Sequence, residues 1–585
     1  MGIPGDTANK RSLDIYFSLH LMTLISKDLS RRAGWRLPFE AWLDGIESGW
    51  AIPVLLASFV AIWMAQFTVA FINVDLHPDV LEAWSVGRNW AWGNAKHPPL
   101  MGWLAHGWTA FFPLTDWSLR LLAMVNAGFA LWCVDLITRR FAGAERRAIV
   151  LLLLMLLPAY QFHAQKFNAN SVLLAVWPLA TYCFLRSFET RNVFWSVAAG
   201  VMCALAMLGK YYSVFLIAGF GFAAIVHTHR MSYLLSPAPW TSMVAGFIAL
   251  APHLYWLSTT GGQPFEYALR VHGGQPFEST FKDAVNFLLG ICAYLALPLF
   301  VWILMTKLKL RAVMRDLCRL DSGLLLLALI FAGSVISAVI TAFVLGTNLP
   351  SLWHLQGLFL VVIVVVCSAR FPIARGESVK LMLTVAIFTA IALIAAPVQA
   401  IYRNAHPYKQ GRNFFSLASD VLTKNWHAAY DMPLERVSGD DGLAFGTAFY
   451  SPDHPIYSRP FQYQGRWGMP RGETLDKGWS ALCFADDAAC LKWMDSVAGR
   501  TEREQRFEFT VQTNLWGIPG ASRKIAAMMV PPATKGSPVP HKQTDINGVD
   551  DFGASRRRVG TPFFDRMRND EGFLFDNVVR TVETP

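Results

Sequence analysis

Between Asp75 and Leu104 the chain gathers three carboxylates (Asp75, Asp79, Glu82) with His77, His97, Lys96, Arg88 and the tryptophans Trp84, Trp90, Trp92 and Trp103. A carboxylate within hydrogen-bond reach of a hydroxyl can take its proton as that oxygen attacks. Fixed positive charge nearby can receive a departing phosphate with little reorganisation. Asp79 follows Pro78 and is placed to open a short helix, whose N-terminal peptide dipoles favour an anion. Glu82 lies three positions on, on the same helical face, where it could orient Asp79 or an acceptor; the plainer reading is a solvated face or a pair with Arg88. The cations that could serve a phosphate are Lys96, His97, Lys210, Arg88 and Arg270. Asp75 and His77 read as local hydrogen-bonders in the loop, and without further ligands His77 and Asp79 do not make a metal site. The indoles suit the interfacial belt of a bilayer.

This stretch directly follows Trp50 to Asn73, a run of more than twenty mainly apolar residues and long enough to cross a membrane. Of the 585 residues, 54% are hydrophobic and 16% charged, and mean hydropathy is +0.34. Soluble domains carry about 25% charge, so the composition specifies a polytopic α-helical membrane protein. Approximate spans fall at 50–73, 117–137, 148–162, 171–187, 193–209, 211–227, 238–257, 284–306, 322–345, 355–369 and 379–401, about eleven in all. The net charge of +10 does not indicate nucleic acid, because the basic residues sit in short loops. Arg139, Arg140, Arg146, Arg147, Arg186, Arg191, Arg230, the Lys307–Arg319 cluster, Arg370, Arg375 and Lys380 all fall in alternate loops. That asymmetry places those loops in the cytoplasm, and the 74–116 loop and the C-terminal part outside.

Residues 1–49 are basic, with a modest amphipathic run from Leu13 to Ile25 and no signal-peptide core, and read as a cytoplasmic leader. The loop near 258–282 contains Gly-Gly-Gln-Pro-Phe-Glu twice, at 261–266 and 273–278. Two similar Gly-Pro turns explain it, as does a mobile flap with Phe265 and Phe277 facing lipid. From Tyr402 the composition turns to that of a soluble α/β domain, 402–530, followed by a disordered tail, 531–585. Five cysteines lie in or at the ends of apolar runs and Cys318 in a basic loop; Cys483 and Cys490 bracket an acidic turn, and outside the cell they are expected to form a structural disulfide.

Asp79-x-x-x-x-Trp84, then Trp92-Gly93, then His97-Pro98-Pro99-Leu100 resembles the first external loop of the GT-C glycosyltransferases that use polyprenyl-phosphate sugars, the protein O-mannosyltransferases and lipid A aminoarabinose transferases. In that family the loop reaches His-Pro-Pro-Leu eighteen residues after its catalytic aspartate, and eighteen separate Asp79 from His97 here. Phe167-Asn168-Ala169-Asn170 with Leu173-Leu174 and Trp177 is similar to a second family block, and Leu208-Gly209-Lys210-Tyr211 to a third. The blocks cover about 75–215. Three departures stand out: Val80 follows the aspartate where the family has glutamate, Lys96 stands where an acidic residue usually precedes the histidine, and Asn170 replaces an aspartate.

The resemblance implies a GT-C fold of about eleven helices with a C-terminal periplasmic domain, in a bacterial inner membrane. It implies transfer of a sugar from a polyprenyl-phosphate donor to an envelope acceptor, lipid A or lipopolysaccharide core first and a protein hydroxyl second. Asp79 would be the general base with Glu82 beside it, and Lys96, His97, Lys210, Tyr211, Arg88, Asn170 and Arg270 would bind substrate. No cofactor follows from these residues, and the change at Asn170 leaves a divalent metal requirement open. The rival from another class is a transporter or lipid flippase, which inverted repeats and mid-membrane charge would favour. The concentration of charge in one loop speaks against it. A structural membrane partner that docks through its C-terminal domain is a further alternative, against which the three blocks count.

Overall fold

The apolar runs become helices, and the computed structural model describes them over residues 37–94, 96–307, 309–457, 478–498 and 504–532. The amphipathic run Leu13–Ile25 and nearly all of the expected tail lie outside the described residues. Each of the eleven expected spans holds a helix, and six are long and apolar enough to cross a membrane: Ala51–Ala70, Asp116–Thr138, Ala169–Thr190, Phe277–Met305, Ser322–Leu345 and Arg375–Ala405. Val193–Gly209, Tyr211–Val226 and Trp353–Ser368 are shorter apolar helices. The outer faces of these helices carry residues such as Leu289, Phe300, Val344 and Ile394, each more than half exposed. A surface of that kind is suited to lipid and not to water.

The expected span 148–162 differs. Its helix, Ala144–Leu154, ends well before 162, and a 3₁₀ turn at Pro158–Tyr160 follows, because proline cannot continue the α-helical hydrogen bonding. The two copies of Gly-Gly-Gln-Pro-Phe-Glu do the same job twice. Gly262, at positive φ, precedes the helix Gln263–His272, and Gly274, also at positive φ, precedes Phe277–Met305; in each a proline stands at the helix entry.

The first loop carries two short helices, Pro78–Gly87 and Leu100–Thr109. The C-terminal part holds a five-stranded sheet in the order β2-β1-β3-β5-β4, with β1 Arg436–Gly439, β2 Ile456–Tyr457, β3 Trp479–Phe484, β4 Gln505–Leu515 and β5 Ile518–Val530. β1 runs parallel to β2 and β3, whereas β5 is antiparallel to β3 and β4. The helices Phe415–Ala429, Asp441–Tyr450 and Ala488–Ala498 accompany it. A disulfide joins Cys483 at the end of β3 to Cys490, with Cα atoms 5.7 Å apart.

One hydrophobic core is shared by the loop helices and the sheet domain: Val80, Leu81, Trp84 and Leu100 pack in the same cluster as Phe415, Leu422, Phe445 and Phe449. The described residues up to Pro532 accordingly fall in one compact unit. The sheet domain braces the loop in which the candidate chemistry sits.

Candidate active site

Asp79 is built by two helix N-termini. His77 caps the helix Pro78–Gly87, its Nδ1 accepting from the Asp79 N–H at 3.2 Å, with Pro78 in the first turn. This leaves the Asp79 carboxylate at the positive end of the helix dipole. Its Oδ2 accepts from Asn168 Nδ2 at 2.8 Å, Oδ1 lies 3.6 Å from His77 Nδ1, and the side chain keeps 20% exposure. Burial, together with Lys166, Arg412 and Lys96, holds the His77 pKa well below its ordinary value. The ring is therefore neutral, and because Nδ1 accepts from Asp79, its proton sits on Nε2.

Asn168 belongs to the second N-terminus. It caps Ala169–Thr190, with Oδ1 accepting from the N–H groups of Asn170 (2.9 Å) and Ser171 (3.0 Å), while Ser171 Oγ accepts from the Asn168 N–H. The amide oxygen is committed to the cap, so the amide nitrogen is the part turned to Asp79.

Asn170, two residues on, is turned the other way. Its Oδ1 accepts from Lys210 Nζ at 2.7 Å and Tyr212 OH at 3.2 Å, and its carbonyl accepts from Gln356 Nε2 at 3.1 Å. One helix start thus links the carboxylate to a lysine. Where the family block has an acidic residue, the amide of Asn170 can hold Lys210 without neutralising it. Among the described residues no group of three or more His, Cys, Asp or Glu side chains is arranged to hold a metal ion.

Lys96 is aimed by a turn. Asn94 Oδ1 accepts from the N–H groups of Lys96 (2.9 Å) and His97 (2.7 Å), and Asn94 N–H donates to the His97 carbonyl at 3.0 Å. Lys96 Nζ then reaches Glu82 Oε2 at 2.9 Å, with side chains only 13% and 5% exposed. Glu82 therefore pairs with Lys96 and not with Arg88. Arg88 is turned to the sheet domain, where it donates to the carbonyls of His454 (2.8 Å) and Pro455 (3.2 Å) over the Trp84 ring. It is not brought to Asp79. Tyr211 bonds through its hydroxyl to His253 Nε2 at 3.0 Å and stacks on Phe265 at 4.8 Å, while His253 Nδ1 bonds the Trp92 carbonyl. Arg270 lies in the helix Gln263–His272, and its side chain is outside the described residues.

Three contributors are not among the sequence candidates: Asn168 and Asn94 as positioning groups and Lys166 as a nearby charge. The first has a readable signal, since Asn168-x-x-Ser171 before an apolar run is a helix-cap pattern. Asp75 acts in the brace, beyond the loop itself: its N–H donates to the Arg412 carbonyl, Arg412 Nη2 donates back to its carbonyl at 3.1 Å, and its Oδ2 accepts from the Ser416 N–H at 3.0 Å. Tyr450 joins the same seam, accepting from the Leu76 N–H and donating to Asp116 Oδ1.

Residues 96–256 match the family described as dolichyl-phosphate-mannose-protein mannosyltransferase. The fold is similar to that of ArnT from Cupriavidus metallidurans in the apo state, with a TM-score of 0.52 at 12% identity, covering 82% of this chain and 98% of that one. It is likewise similar to the same protein bound to undecaprenyl phosphate, with a TM-score of 0.50, the same identity and the same coverage. No curated protein matches by sequence. The resemblance to GT-C glycosyltransferases read in the three blocks is thus met by a family match that contains the second and third blocks and the His97-Pro98-Pro99-Leu100 end of the first, and by a fold likeness over 82% of the chain.

Proposed function

We propose that this membrane protein transfers a sugar from a polyprenyl-phosphate donor to a hydroxyl of an envelope glycolipid, lipid A or lipopolysaccharide core, with Asp79 as the general base. The observation that carries the reading is the Asp79 carboxylate. It is partly exposed, held at a helix N-terminus and oriented by the Asn168 amide, with Lys96 and Lys210 held by other parts of the same two elements. That ArnT, of similar fold, has been seen with undecaprenyl phosphate supports a lipid-phosphate donor.

In this reaction the acceptor O–H gives its proton to Asp79 as its oxygen forms a bond to the anomeric carbon. The bond from that carbon to the phosphate oxygen breaks, its electron pair leaves on the polyprenyl phosphate, and the anomeric configuration inverts. Lys96 and Lys210 supply positive charge where the phosphate gathers negative charge, and His97 is a further substrate contact. Lys96 is shared with Glu82, so the ammonium is already fixed before substrate arrives. Glu82 in turn serves as the partner of that cation, and Asp79 is left as the carboxylate for proton transfer.

A protein hydroxyl is the second reading, and the match of 96–256 to the protein mannosyltransferase family favours it. One experiment tests both. Envelope lipids and proteins from cells lacking the protein are compared by mass spectrometry with cells complemented by wild type or Asp79→Asn. A sugar missing from lipid A or core and restored only by wild type, with Asp79→Asn at normal level in the membrane, is the expected result. A sugar missing only from peptides moves the acceptor to protein. Full restoration by Asp79→Asn removes Asp79 as base, and no change in any glycan removes the transferase reading. Loss of a general base is worth about 10²–10⁴-fold in rate.

A further inference from the structure

The hairpin of β4 and β5 turns in two residues. Leu515 pairs with Ile518, and between them Trp516 and Gly517 both have positive φ, 52° and 86°. Such a turn takes Asn-Gly or Gly-Gly most readily, because left-handed backbone is unfavourable for a bulky side chain. A tryptophan there needs a compensating environment, yet Trp516 is 67% exposed and Ile518 59%. Among the described residues nothing covers these two side chains.

The position of the tip indicates what does. Asn404, in the last turn of the apolar helix Arg375–Ala405, donates through Nδ2 to the Ile518 carbonyl at 3.1 Å, and its own carbonyl accepts from Thr513 Oγ1 at 3.1 Å. Gly520 completes the fastening, since a Cβ there would sit 2.3 Å from the Asn404 carbonyl oxygen. The tip is thereby held level with the end of a helix able to cross a membrane. Along that helix Ile394, Val398, Ile401 and Tyr402 recur at helical spacing, each more than half exposed. The exposed apolar stripe runs to the same end of the helix at which the hairpin tip is fastened.

We infer that Trp516 and Ile518 insert into the headgroup region of the bilayer beside the end of Arg375–Ala405, so that the sheet domain is anchored to lipid as well as to its own membrane helices. An indole at this depth keeps its ring in apolar surroundings and its N–H wet, the arrangement for which tryptophan is enriched at membrane interfaces. The inference does not depend on the catalytic reading.

The full chain is produced with a benzophenone-bearing phenylalanine in place of Trp516, of Ile518, or of Glu508, which lies higher on β4 in an ion pair with Lys524. Each monodisperse protein is placed in phospholipid nanodiscs, illuminated and analysed by mass spectrometry. Phospholipid adducts at positions 516 and 518 and none at 508 are expected. Absence of lipid adduct at both tip positions overturns the inference. A cross-linked dimer through either one in place of lipid overturns it too, since the tip would then be a contact between copies of the chain.

Discussion

Asn168 has one orientation in which all its hydrogen bonds are made: oxygen to the cap of Ala169–Thr190, nitrogen to Asp79. Asn168→Asp keeps the capping oxygen but sets a second carboxylate against the first, and like charges that close resist joint ionisation. Asp79 and the introduced carboxylate then hold a shared proton to higher pH. The expected outcome is a lower rate at neutral pH that recovers as pH rises, with the acidic limb of the pH–rate profile moved upward. A profile unchanged in shape would show that Asn168 does not orient the base. Asn168→Ala, by contrast, loses the cap, worth about 1 kcal/mol, together with the orientation. Lys96 and Glu82 make a second residue-level case. Lys96→Met strands a buried carboxylate, and breaking such a pair costs about 3–5 kcal/mol. Lys96→Met with Glu82→Leu removes both charges and is expected to restore thermal stability without restoring transfer. Recovery of transfer in the double variant would mean that Lys96 serves only folding. The spacing from Asp79 to His97 is readable in the sequence because both lie in one loop. The contact from Asp79 to Asn168 is not, because it joins residues 89 positions apart and depends on how two helix starts face each other.

At the scale of elements, the brace between the first loop and the sheet domain is polar and buried, and it carries a pH signature. Burial, with Asp116 nearby, raises Asp75 from 3.8 to about 7, against the hydrogen bonds from Ser416 that favour its charged form. A carboxyl raised in the folded state binds its proton more tightly there than in the unfolded chain. Stability therefore falls as pH rises from about 4 to about 7, and the effect is complete above that window. Asp440, the buried cap of Asp441–Tyr450, is also raised to about 7 and adds to the same slope. Asp75→Asn keeps an oxygen for the Ser416 N–H but cannot ionise. Thermal unfolding of the variant is expected to depend less on pH than wild type across that window, with the residual slope due to Asp440. Parallel curves for the two proteins would remove Asp75 as a source. The membrane helices were legible because twenty apolar residues in sequence admit few structures. The break after Leu154 was foreshadowed only by Pro158. The mixed sheet was not legible beyond its class, since β3 pairs with β1 on one side and with the distant β5 on the other.

For the whole molecule, the fold sorts charge by end. Arg88 of the first loop meets His454 of the sheet domain, so the candidate site and that domain share one end of the bundle. The loops rich in basic residues are knitted together elsewhere: Arg140 pairs with Glu189, Arg147 with Asp135, Arg375 with Asp44, and Arg370 donates to the Arg319 carbonyl. The alternation of Arg and Lys along the sequence is thus also a segregation in space, as expected if the basic end stays on the cytoplasmic side during insertion. That segregation predicts a fixed polarity. Cys318, exposed in the basic group next to Arg319, should resist a membrane-impermeant maleimide in intact spheroplasts and react once the membrane is opened. Lys424→Cys, at an exposed position on Phe415–Ala429, should react before the membrane is opened. The reverse pattern would put Asp79 on the cytoplasmic side, where an acceptor already displayed on the outer surface could not reach it, and the choice of a glycolipid acceptor would fail with it. The expected pattern places base, lysines and sheet domain together on the outside. Under the proposed function, acceptor and lipid-linked sugar would then both enter from the outer leaflet, and transfer at Asp79 would need no substrate to cross the membrane.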